Sequence, residues 1–457
     1  MAWYKDKIFW SIICAAVLTR LAAFAWLLGA HPLGEQALIF PDSLGYVYPA
    51  QTLLTYGHLW EAVSATPLLL RTPGYPVFLA LIHWISGNVT WAVAVAQNIL
   101  AVCMLWPVYL SARRLGGRVA ACWAAGCCAI SVLYFSLSFA VLTETLCTFL
   151  LAWFVFFLLR WLDEPRWHDL TVAAVLLAAA VYVRPAVYYF VPVTWVLAFA
   201  WAQQKKSLSL AKQIIFCLLL PTVILLGAWQ IRNYVQTGYS GFSTVGAYNL
   251  YIWNEDYVAK QNNLSVVQAH QQLQKELPPG FENFSAAKQV KTYKRLAAPL
   301  LARGLIYKLL NAPRWAVKTL FGTNYAHVTR LAFGQENSPA TALNQTQLLP
   351  RPWINTPAGK GLFALVFLQV ATVVLVGSWG LWLCFKTHRA AAVFLTVYTV
   401  YFWAIGSCFF GAYARFRAPF EFVLCLTAGL AMQTLYKKLR PATPAGVQGV
   451  KSTETDR

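Results

Sequence analysis

The sequence contains little charge. Lysine, arginine, aspartate and glutamate make up 11% of the 457 residues, whereas 59% are hydrophobic and the mean hydropathy is +0.53. A soluble domain carries charge on about a quarter of its residues, so this composition excludes an ordinary globular surface. Lipid is therefore expected to be the main solvent of the chain.

Acidic residues are particularly scarce. There are 16 of them against 36 lysines and arginines, which gives a formal net charge of +20. In a soluble protein such an excess would suggest nucleic-acid binding. Here the basic residues separate apolar runs and do not form one solvated face, as the topology rule of membrane proteins predicts. No nucleic-acid partner is therefore expected.

The sequence also lacks the motifs of common cofactor sites. All ten cysteines lie in apolar stretches and none belongs to a CxxC pair, which favours small buried side chains over metal ligands or disulfides. His31, His58 and His83 all lie within residues 30–88 but without ligand-like spacing. Neither a Walker-type loop nor a dinucleotide fingerprint is present. No cofactor is predicted to be required, while a divalent metal stays open.

Long apolar runs dominate instead. A helix needs about 20 apolar residues to cross the hydrocarbon core, because unpaired backbone groups are too costly in lipid. Ten segments meet this requirement, which predicts an all-α polytopic membrane protein built as a bundle of about ten transmembrane helices. They are 8–29, 89–111, 118–137, 138–159, 169–186, 187–203, 212–231, 361–385, 390–410 and 418–436.

The basic clusters orient these spans. If the shorter apolar stretch 75–86 is interfacial or re-entrant, every basic cluster in a short loop falls on one side, which is then the cytoplasmic side. Both termini are predicted to lie there, and the first apolar run is expected to be a retained span. The chain is thus predicted to form one membrane domain, 1–436, in the plasma (inner) membrane, followed by a disordered tail, 437–457.

Two long loops are left on the outer side, residues 30–88 and 232–360. Within the second loop, 287–320 carries lysine and arginine among leucine, alanine and aromatic residues, which is typical of amphipathic helices on a membrane surface. The aromatic side chains of both loops are expected to form an interfacial belt, with sugar stacking as the alternative for a few of them.

Five arginines at the predicted outer interface break the topology rule. Guanidinium is always protonated and its planar fork fits phosphate oxygens, so arginines that converge would bind an anionic headgroup. Snorkelling to the interface is the alternative for each of them. They are Arg71, Arg184, Arg232, Arg415 and Arg417.

Two carboxylates lie on the same side. Asp42 follows Pro41 in the first loop, where either a chemical role or the capping of a short helix over 44–55 is open. Glu144 lies in the outer turns of a span, where a carboxylate is costly unless it is paired or used. An ion pair with an arginine and direct contact with a substrate are both open for Glu144.

Five short stretches on the outer side form a set. They are Asp42–Tyr46, Arg71–Pro76, Val183–Pro185, Trp229–Tyr234 with Gly238 and Ser243–Leu250, and Arg415–Pro419. In order and placement this set resembles the C-type glycosyltransferase superfamily, which includes protein O-mannosyltransferases and the aminoarabinose transferases that modify lipid A. One difference concerns Ser43, which follows Asp42 where several members carry Asp-Glu.

The resemblance implies an activity and a site. Members transfer a sugar, with inversion, from a polyprenyl-phosphate carrier to a protein, lipopolysaccharide or glycan acceptor on the extracytoplasmic face. Asp42 would be the base that takes the proton of the acceptor, and the five arginines would bind the phosphate, with Arg184 and Arg232 foremost. The remaining substrate-binding residues would be Tyr75, Glu144, Asn233 and Asn249.

Three other functions stay open. A polymerase or ligase that acts on a lipid-linked oligosaccharide would use the same chemistry. A secondary transporter would favour an inverted repeat and charges at the midplane, whereas no repeat is visible here and the unusual charges lie near one surface. A lipid-binding scaffold protein would not need Asp42.

Overall fold

The computed structural model of the protein describes residues 5–31, 33–61, 66–87, 89–333, 357–408 and 413–439. Within these ranges the chain is helical, and its β structure is one isolated bridge between Trp60 and Pro67. The predicted all-α fold is therefore confirmed. The predicted cytoplasmic tail lies almost wholly outside the described residues.

Nineteen α-helices occur in the described residues. They are α1 (Lys7–Gly29), α2 (Leu44–Tyr56), α3 (Gly74–Ser86), α4 (Val89–Cys103), α5 (Leu105–Ala129), α6 (Val132–Ser138), α7 (Glu144–Asp163), α8 (Trp167–Val183), α9 (Phe190–Gln204), α10 (Leu208–Gln213), α11 (Leu220–Thr237), α12 (Val245–Ile252), α13 (Glu255–Asn262), α14 (Val266–Lys275), α15 (Ala286–Phe321), α16 (Tyr325–Phe333), α17 (Pro357–Thr387), α18 (Arg389–Cys408) and α19 (Ala418–Leu439). Short 3₁₀ turns cover Gly34–Leu38, Pro185–Val187, Phe281–Asn283 and Ala414–Arg417, and a π turn over Ile214–Leu219 joins α10 to α11.

Eight helical stretches of the described residues are long and apolar enough to cross a membrane. The chain is therefore a multi-pass membrane protein, as its composition predicts. The shorter apolar helix α8, with 17 residues, lies where the span 169–186 is predicted.

The longest of these stretches, Thr90–Ala129, is bent back on itself. Gly117 has φ +81°, a left-handed value that suits glycine and interrupts α5. The side chains of Gln97 and Asn98 donate to the Ser138 carbonyl, at 3.3 and 3.1 Å. The chain on either side of Gly117 thus forms an antiparallel hairpin, which accounts for two of the predicted spans, 89–111 and 118–137.

The start of the next span differs from the prediction. The span predicted from residue 138 begins as a helix only at Glu144, because the chain turns between Phe139 and Thr143. The Val141 amide donates to the Leu38 carbonyl at 2.9 Å, which ties this turn to the first outer loop. Glu144 consequently lies in the first turn of α7, next to that loop.

The two long loops are also helical. The apolar stretch 75–86 forms α3, bounded by Pro73 and Gly87. The segment predicted as several amphipathic helices, 287–320, is instead one continuous helix, α15, of 36 residues, because Pro299 and Pro313 do not interrupt it.

Glycines bring the central helices together. A Cβ at Gly377 or Gly380 of α17 would overlap backbone atoms of α19, and one at Gly429 of α19 would overlap the Ala120 carbonyl of α5. Such close approach of backbones through small residues is the usual way in which helices associate in membranes. The helices α5, α17 and α19 therefore pack with their backbones in close contact.

Candidate functional site

The first outer loop fixes the position of Asp42. The fully buried Ser43 hydroxyl donates to the Val141 carbonyl at 2.8 Å and accepts from the Phe40 amide at 2.9 Å. Ser43 occupies the position before α2, but no side chain caps this helix. The alternative that Asp42 caps a helix is therefore wrong. Its carboxylate points to two arginines instead.

Asp42 lies between Arg71 and Arg415. Its Oδ1 accepts from Arg71 Nη2 at 2.8 Å, and its Oδ2 accepts from Arg415 Nη2 at 2.9 Å. Burial alone would raise the pKa of Asp42, but the charges of Arg415 and Arg71 outweigh it and hold this pKa well below the usual range of a carboxyl. The side chain is still 34% exposed, so an incoming molecule can reach it.

Arg71 lies at the end of a strongly held segment. The Glu61 carboxylate accepts from the Leu69 and Leu70 amides at 2.7 and 2.6 Å, and the Ser243 hydroxyl donates to the Leu70 carbonyl at 2.8 Å. The Arg71 guanidinium also lies over the Tyr46 ring, 4.9 Å from its centre. These contacts set the direction in which Arg71 approaches Asp42.

Glu144 and Arg184 form the second half of the site. Glu144 Oε1 lies 2.9 Å from Arg184 Nη1 and 3.9 Å from Arg415 Nε, and the Glu144 side chain is only 3% exposed. The ion-pair alternative for Glu144 is therefore the one that the structure contains. Arg415 touches both carboxylates and joins the two ion pairs into one cluster, which we call the Asp42 cluster: Asp42, Arg71, Glu144, Arg184 and Arg415.

Two buried nitrogens of the cluster have no aligned hydrogen bond within the described residues. They are Arg184 Nη1 and Arg415 Nε. Arg184 Nη1 is close to Glu144, but the two groups meet as charges and not as an aligned donor and acceptor. Arg415 Nε lies 3.9 Å from Glu144 Oε1. A buried donor without a close acceptor is costly, so this N–H group is suited to an anion that enters the site.

Arg232 and Asn233, both predicted to bind substrate, support the loops. Arg232 Nη1 donates to the Leu68 carbonyl at 3.0 Å, and its guanidinium lies 4.5 Å from the Trp229 ring centre. The Asn233 amide, fully buried, donates to the Gly241 carbonyl at 2.9 Å. Neither contact is with the Asp42 cluster, and the substrate-binding roles of Arg232 and Asn233 stay predictions.

Three more of the predicted residues have other surroundings. Arg417 is 1% exposed, forms an ion pair with Glu421 and donates to three backbone carbonyls between Thr319 and Gly322. Tyr75 is fully buried and donates to Gln97 at 2.9 Å. Asn249 is half-buried on α12, and its substrate role stays a prediction.

Aromatic rings line the cluster. The Phe416 ring centre lies 5.7 Å from the Arg184 guanidinium and 5.6 Å from that of Arg415. The Trp253 ring packs on Phe416 at 6.0 Å between ring centres. Among the described residues, no group of three His, Cys, Asp or Glu side chains lies close enough together to suggest a metal site.

One buried residue near the cluster escapes sequence reasoning. His327 of α16 packs edge-on against Phe40 with 4.4 Å between ring centres, and is 6% exposed. It lies far from Phe40 along the chain, in a loop without a motif, so no spacing in the sequence indicates the contact. Only the folded chain brings the two loops together.

Comparison with known proteins agrees with this architecture. Residues 70–229 match the family described as dolichyl-phosphate-mannose-protein mannosyltransferase. No curated protein matches the chain. Among solved structures, the oligosaccharyltransferase AglB from Archaeoglobus fulgidus, in complex with an inhibitory peptide and a dolichol-phosphate, is similar in fold, with a TM-score of 0.53 and 14% identity over 96% of this chain and 51% of that chain. This chain thus spans about half the length of that protein.

Structures of ArnT from Cupriavidus metallidurans are more distant. The apo form has a TM-score of 0.39 and 12% identity over 93% of this chain and 77% of that chain. The form bound to undecaprenyl phosphate has a TM-score of 0.39 and 13% identity over 96% of this chain and 83% of that chain. The family match thus covers residues 70–229, and the likeness to AglB shows a shared fold over nearly the whole chain.

Proposed function

We propose that this protein is an inverting glycosyltransferase of the inner membrane. It moves a sugar from a polyprenyl-phosphate donor to a protein, lipid or glycan acceptor on the extracytoplasmic face. The observation that carries the proposal is the Asp42 cluster, in which one accessible carboxylate is held between two arginines. A lipid-binding scaffold or a transporter would not require this arrangement.

The charge of the cluster suits one phosphate. Three guanidinium groups face two carboxylates, Asp42 and Glu144, which leaves one positive charge. The single negative charge of a phosphodiester-linked sugar would neutralise it. Developing charge on the leaving phosphate is the quantity that such preorganised cations stabilise in the transition state.

Arg71 and Arg415 can bind either Asp42 or the phosphate of a donor. In the resting cluster Arg71 and Arg415 both bind Asp42, which makes this carboxylate a weak base. A donor phosphate competes for the same guanidinium groups. Each hydrogen bond that moves from Asp42 to the phosphate raises the pKa of Asp42, because it removes a contact that favours the charged form. The donor therefore activates the base that it needs.

The released carboxylate performs the proton transfer. The acceptor hydroxyl or amine attacks the anomeric carbon from the side opposite to the phosphate, and Asp42 takes its proton while polyprenyl phosphate leaves with the electron pair of the broken bond. Glu144 keeps Arg184 in place during this exchange. AglB is described with a dolichol-phosphate, and we assign the same class of carrier to this chain.

The orientation of the site is part of the proposal. Nucleotide sugars are confined to the cytoplasm, so a transferase that works outside needs a sugar that has already crossed on its lipid carrier. The basic clusters of the short loops favour a cytoplasmic position for both termini, which puts the Asp42 cluster on the other face.

The test uses purified full-length protein in proteoliposomes. Mass spectrometry of envelope proteins and glycolipids from a deletion strain identifies the acceptor that loses its sugar. A donor labelled in the sugar and linked to polyprenyl phosphate should then label that acceptor when it is supplied on the outer face. The proposal fails if no label moves from any polyprenyl-phosphate sugar while the protein is folded.

A further inference from the structure

His327 lies where the two outer loops meet. It belongs to α16 of the second loop, and this helix is held to the first loop by His31, whose Nε2 lies 2.9 Å from the Arg330 carbonyl. The His327 ring packs against Phe40, two residues before Asp42. The imidazole is therefore next to the turn that carries the Asp42 carboxylate.

The surroundings of the ring determine its tautomer. His327 Nδ1 lies 3.3 Å from the Asn324 amide nitrogen, and the same nitrogen is 3.2 Å from the Ser136 hydroxyl. An amide nitrogen donates and does not accept, so Nδ1 is the acceptor and the proton of the neutral ring is on Nε2. The Nε2–H group is buried and has no hydrogen-bond partner among the described residues.

The imidazole is neutral at any working pH. Burial lowers the pKa of His327 to about 3, with further lowering by the charges of Arg330 and Arg415. Arg415 is thus an electrostatic neighbour of His327 as well as a partner of Asp42. Because the ring stays uncharged, it does not compete with the arginines for either carboxylate.

We propose that His327 donates a hydrogen bond from Nε2–H to a phosphate oxygen of the lipid-linked donor, beside Arg415. This inference rests on the proposed function and adds a neutral donor to the cationic site. A buried N–H without an acceptor is expensive, and a phosphate oxygen would relieve that cost. Arg71 and Arg415 must give up hydrogen bonds to Asp42 before they bind the phosphate, whereas the Nε2–H group of His327 has no such bond to break.

The test measures binding of undecaprenyl phosphate to the full-length protein in nanodiscs. His327→Phe keeps a flat ring against Phe40 but removes the donor, whereas His327→Gln keeps an N–H donor. Loss of a hydrogen bond to a charged group predicts binding at least about tenfold weaker for His327→Phe, with partial recovery in His327→Gln. His31→Gln, which changes a histidine that supports α16, is the matched control and should bind as the wild type does.

The outcomes separate the role of His327 from the proposed function. If the wild type binds undecaprenyl phosphate and a folded His327→Phe binds it equally well, the role of His327 is refuted and the proposed function stands. If His327→Phe does not fold, His327→Met replaces it with the same expectation. If the wild type binds no polyprenyl phosphate, the proposed function fails together with this inference. If His327→Phe and His31→Gln lose the same amount of binding, His327 only holds α16 in place, and its proposed hydrogen bond to the phosphate is refuted.

Discussion

At the scale of single residues, Asp42 is held by the groups that are expected to bind the donor. Its contacts with Arg71 and Arg415, at 2.8 and 2.9 Å, keep the carboxylate charged and keep both arginines in place before a substrate arrives. The same contacts make it a weak base. When Arg71 and Arg415 move from Asp42 to the donor phosphate, the donor is expected to be bound and Asp42 to become a stronger base in the same step.

The surroundings of His327 lead to a prediction about stability. Its pKa is about 3 in the folded chain, against an ordinary value of 6.5. Below pH 6.5 the unfolded chain therefore binds a proton that the folded chain does not bind until about pH 3, so folded-state stability falls as pH decreases between these values. From pH 7 to pH 5 the loss is about 2 kcal/mol. Thermal unfolding in detergent should show it.

The control for this prediction is His327→Gln, which cannot titrate. Its unfolding midpoint should fall less than that of the wild type between pH 7 and pH 5. A wild type and a variant with the same pH dependence would show that His327 is not buried as a neutral ring.

The sequence indicates the side of the membrane on which each of these residues lies, but not which of them meet. Asp42, Arg71, Arg184 and Arg415 lie in one cluster. Arg232 and Arg417 are also at the ends of helices but turn toward backbone carbonyls. The order of charges along the chain predicts the depth of an arginine in the membrane, whereas its direction around the helix depends on packing that only the folded chain contains.

At the scale of helices, a glycine sets the distance between the two halves of the site. Gly74 begins α3 three residues after Arg71. A Cβ at Gly74 would lie 2.7 Å from the Tyr182 carbonyl carbon and 2.9 Å from the Val183 nitrogen, at the end of α8. The next residue is Arg184. The contact of α3 with α8 therefore places Arg71 near the Glu144 and Arg184 pair.

Gly74→Ala should separate these helices. A Cβ at such a distance from backbone atoms requires a shift of α3 or α8, which costs roughly 1–3 kcal/mol. We expect a lower unfolding midpoint and weaker donor binding, because Arg71 moves with α3. Gly29→Ala is the control, since a Cβ at Gly29 would meet nothing within 4 Å. If Gly74→Ala unfolds at the same temperature as the wild type, α3 and α8 cannot be in such close contact at Gly74.

One face of the long helix α15 changes from basic to apolar along the helix. Its first third exposes basic side chains, Lys288, Lys291, Lys294 and Arg295, whereas its second half exposes large apolar ones, Leu305, Ile306, Leu309, Leu310 and Val317. At 100° per residue these two sets lie on the same side of the helix. The second half also packs on a membrane span, since Trp403 of α18 donates to the Ala316 carbonyl.

We expect the second half of α15 to lie in the outer leaflet of the membrane and its first third to lie in water. A fluorophore at position 310 should be quenched by lipids with labelled acyl chains, whereas one at position 291 should be quenched by aqueous iodide. This follows from the cost of leaving large apolar side chains in water and charged ones in hydrocarbon. Strong iodide quenching at 310 would contradict it. The sequence predicts the amphipathic composition of this region, but a single helix that continues through two prolines is not apparent from it.

At the scale of the whole molecule, the path of the chain brings distant segments together at the Asp42 cluster. Within the described residues, eight helical stretches are long and apolar enough to cross a membrane, and both long loops contribute to the Asp42 cluster and its surroundings. The fold class, the multi-pass character and the position of the reversal near Gly117 follow from apolar run length and basic clusters. The contact of α16 with the first loop does not, because it joins segments that share no local pattern.

Asp42 is proposed to be both the base of sugar transfer and the resting partner of the arginines that bind the phosphate. Asp42→Asn tests both parts, since asparagine keeps the size of the side chain and loses its charge. Glu282→Gln, which neutralises an exposed carboxylate of the outer loop, is the control and should behave as the wild type.

The measurement that decides is a paired assay of Asp42→Asn in proteoliposomes, with sugar transfer and undecaprenyl phosphate binding determined on the same preparation. Transfer should fall by about 10²–10⁴-fold, because the base is lost. Binding should become about tenfold tighter, because Arg71 and Arg415 no longer face a competing charge. Transfer near the wild-type rate, or phosphate binding that weakens together with transfer, would contradict the account.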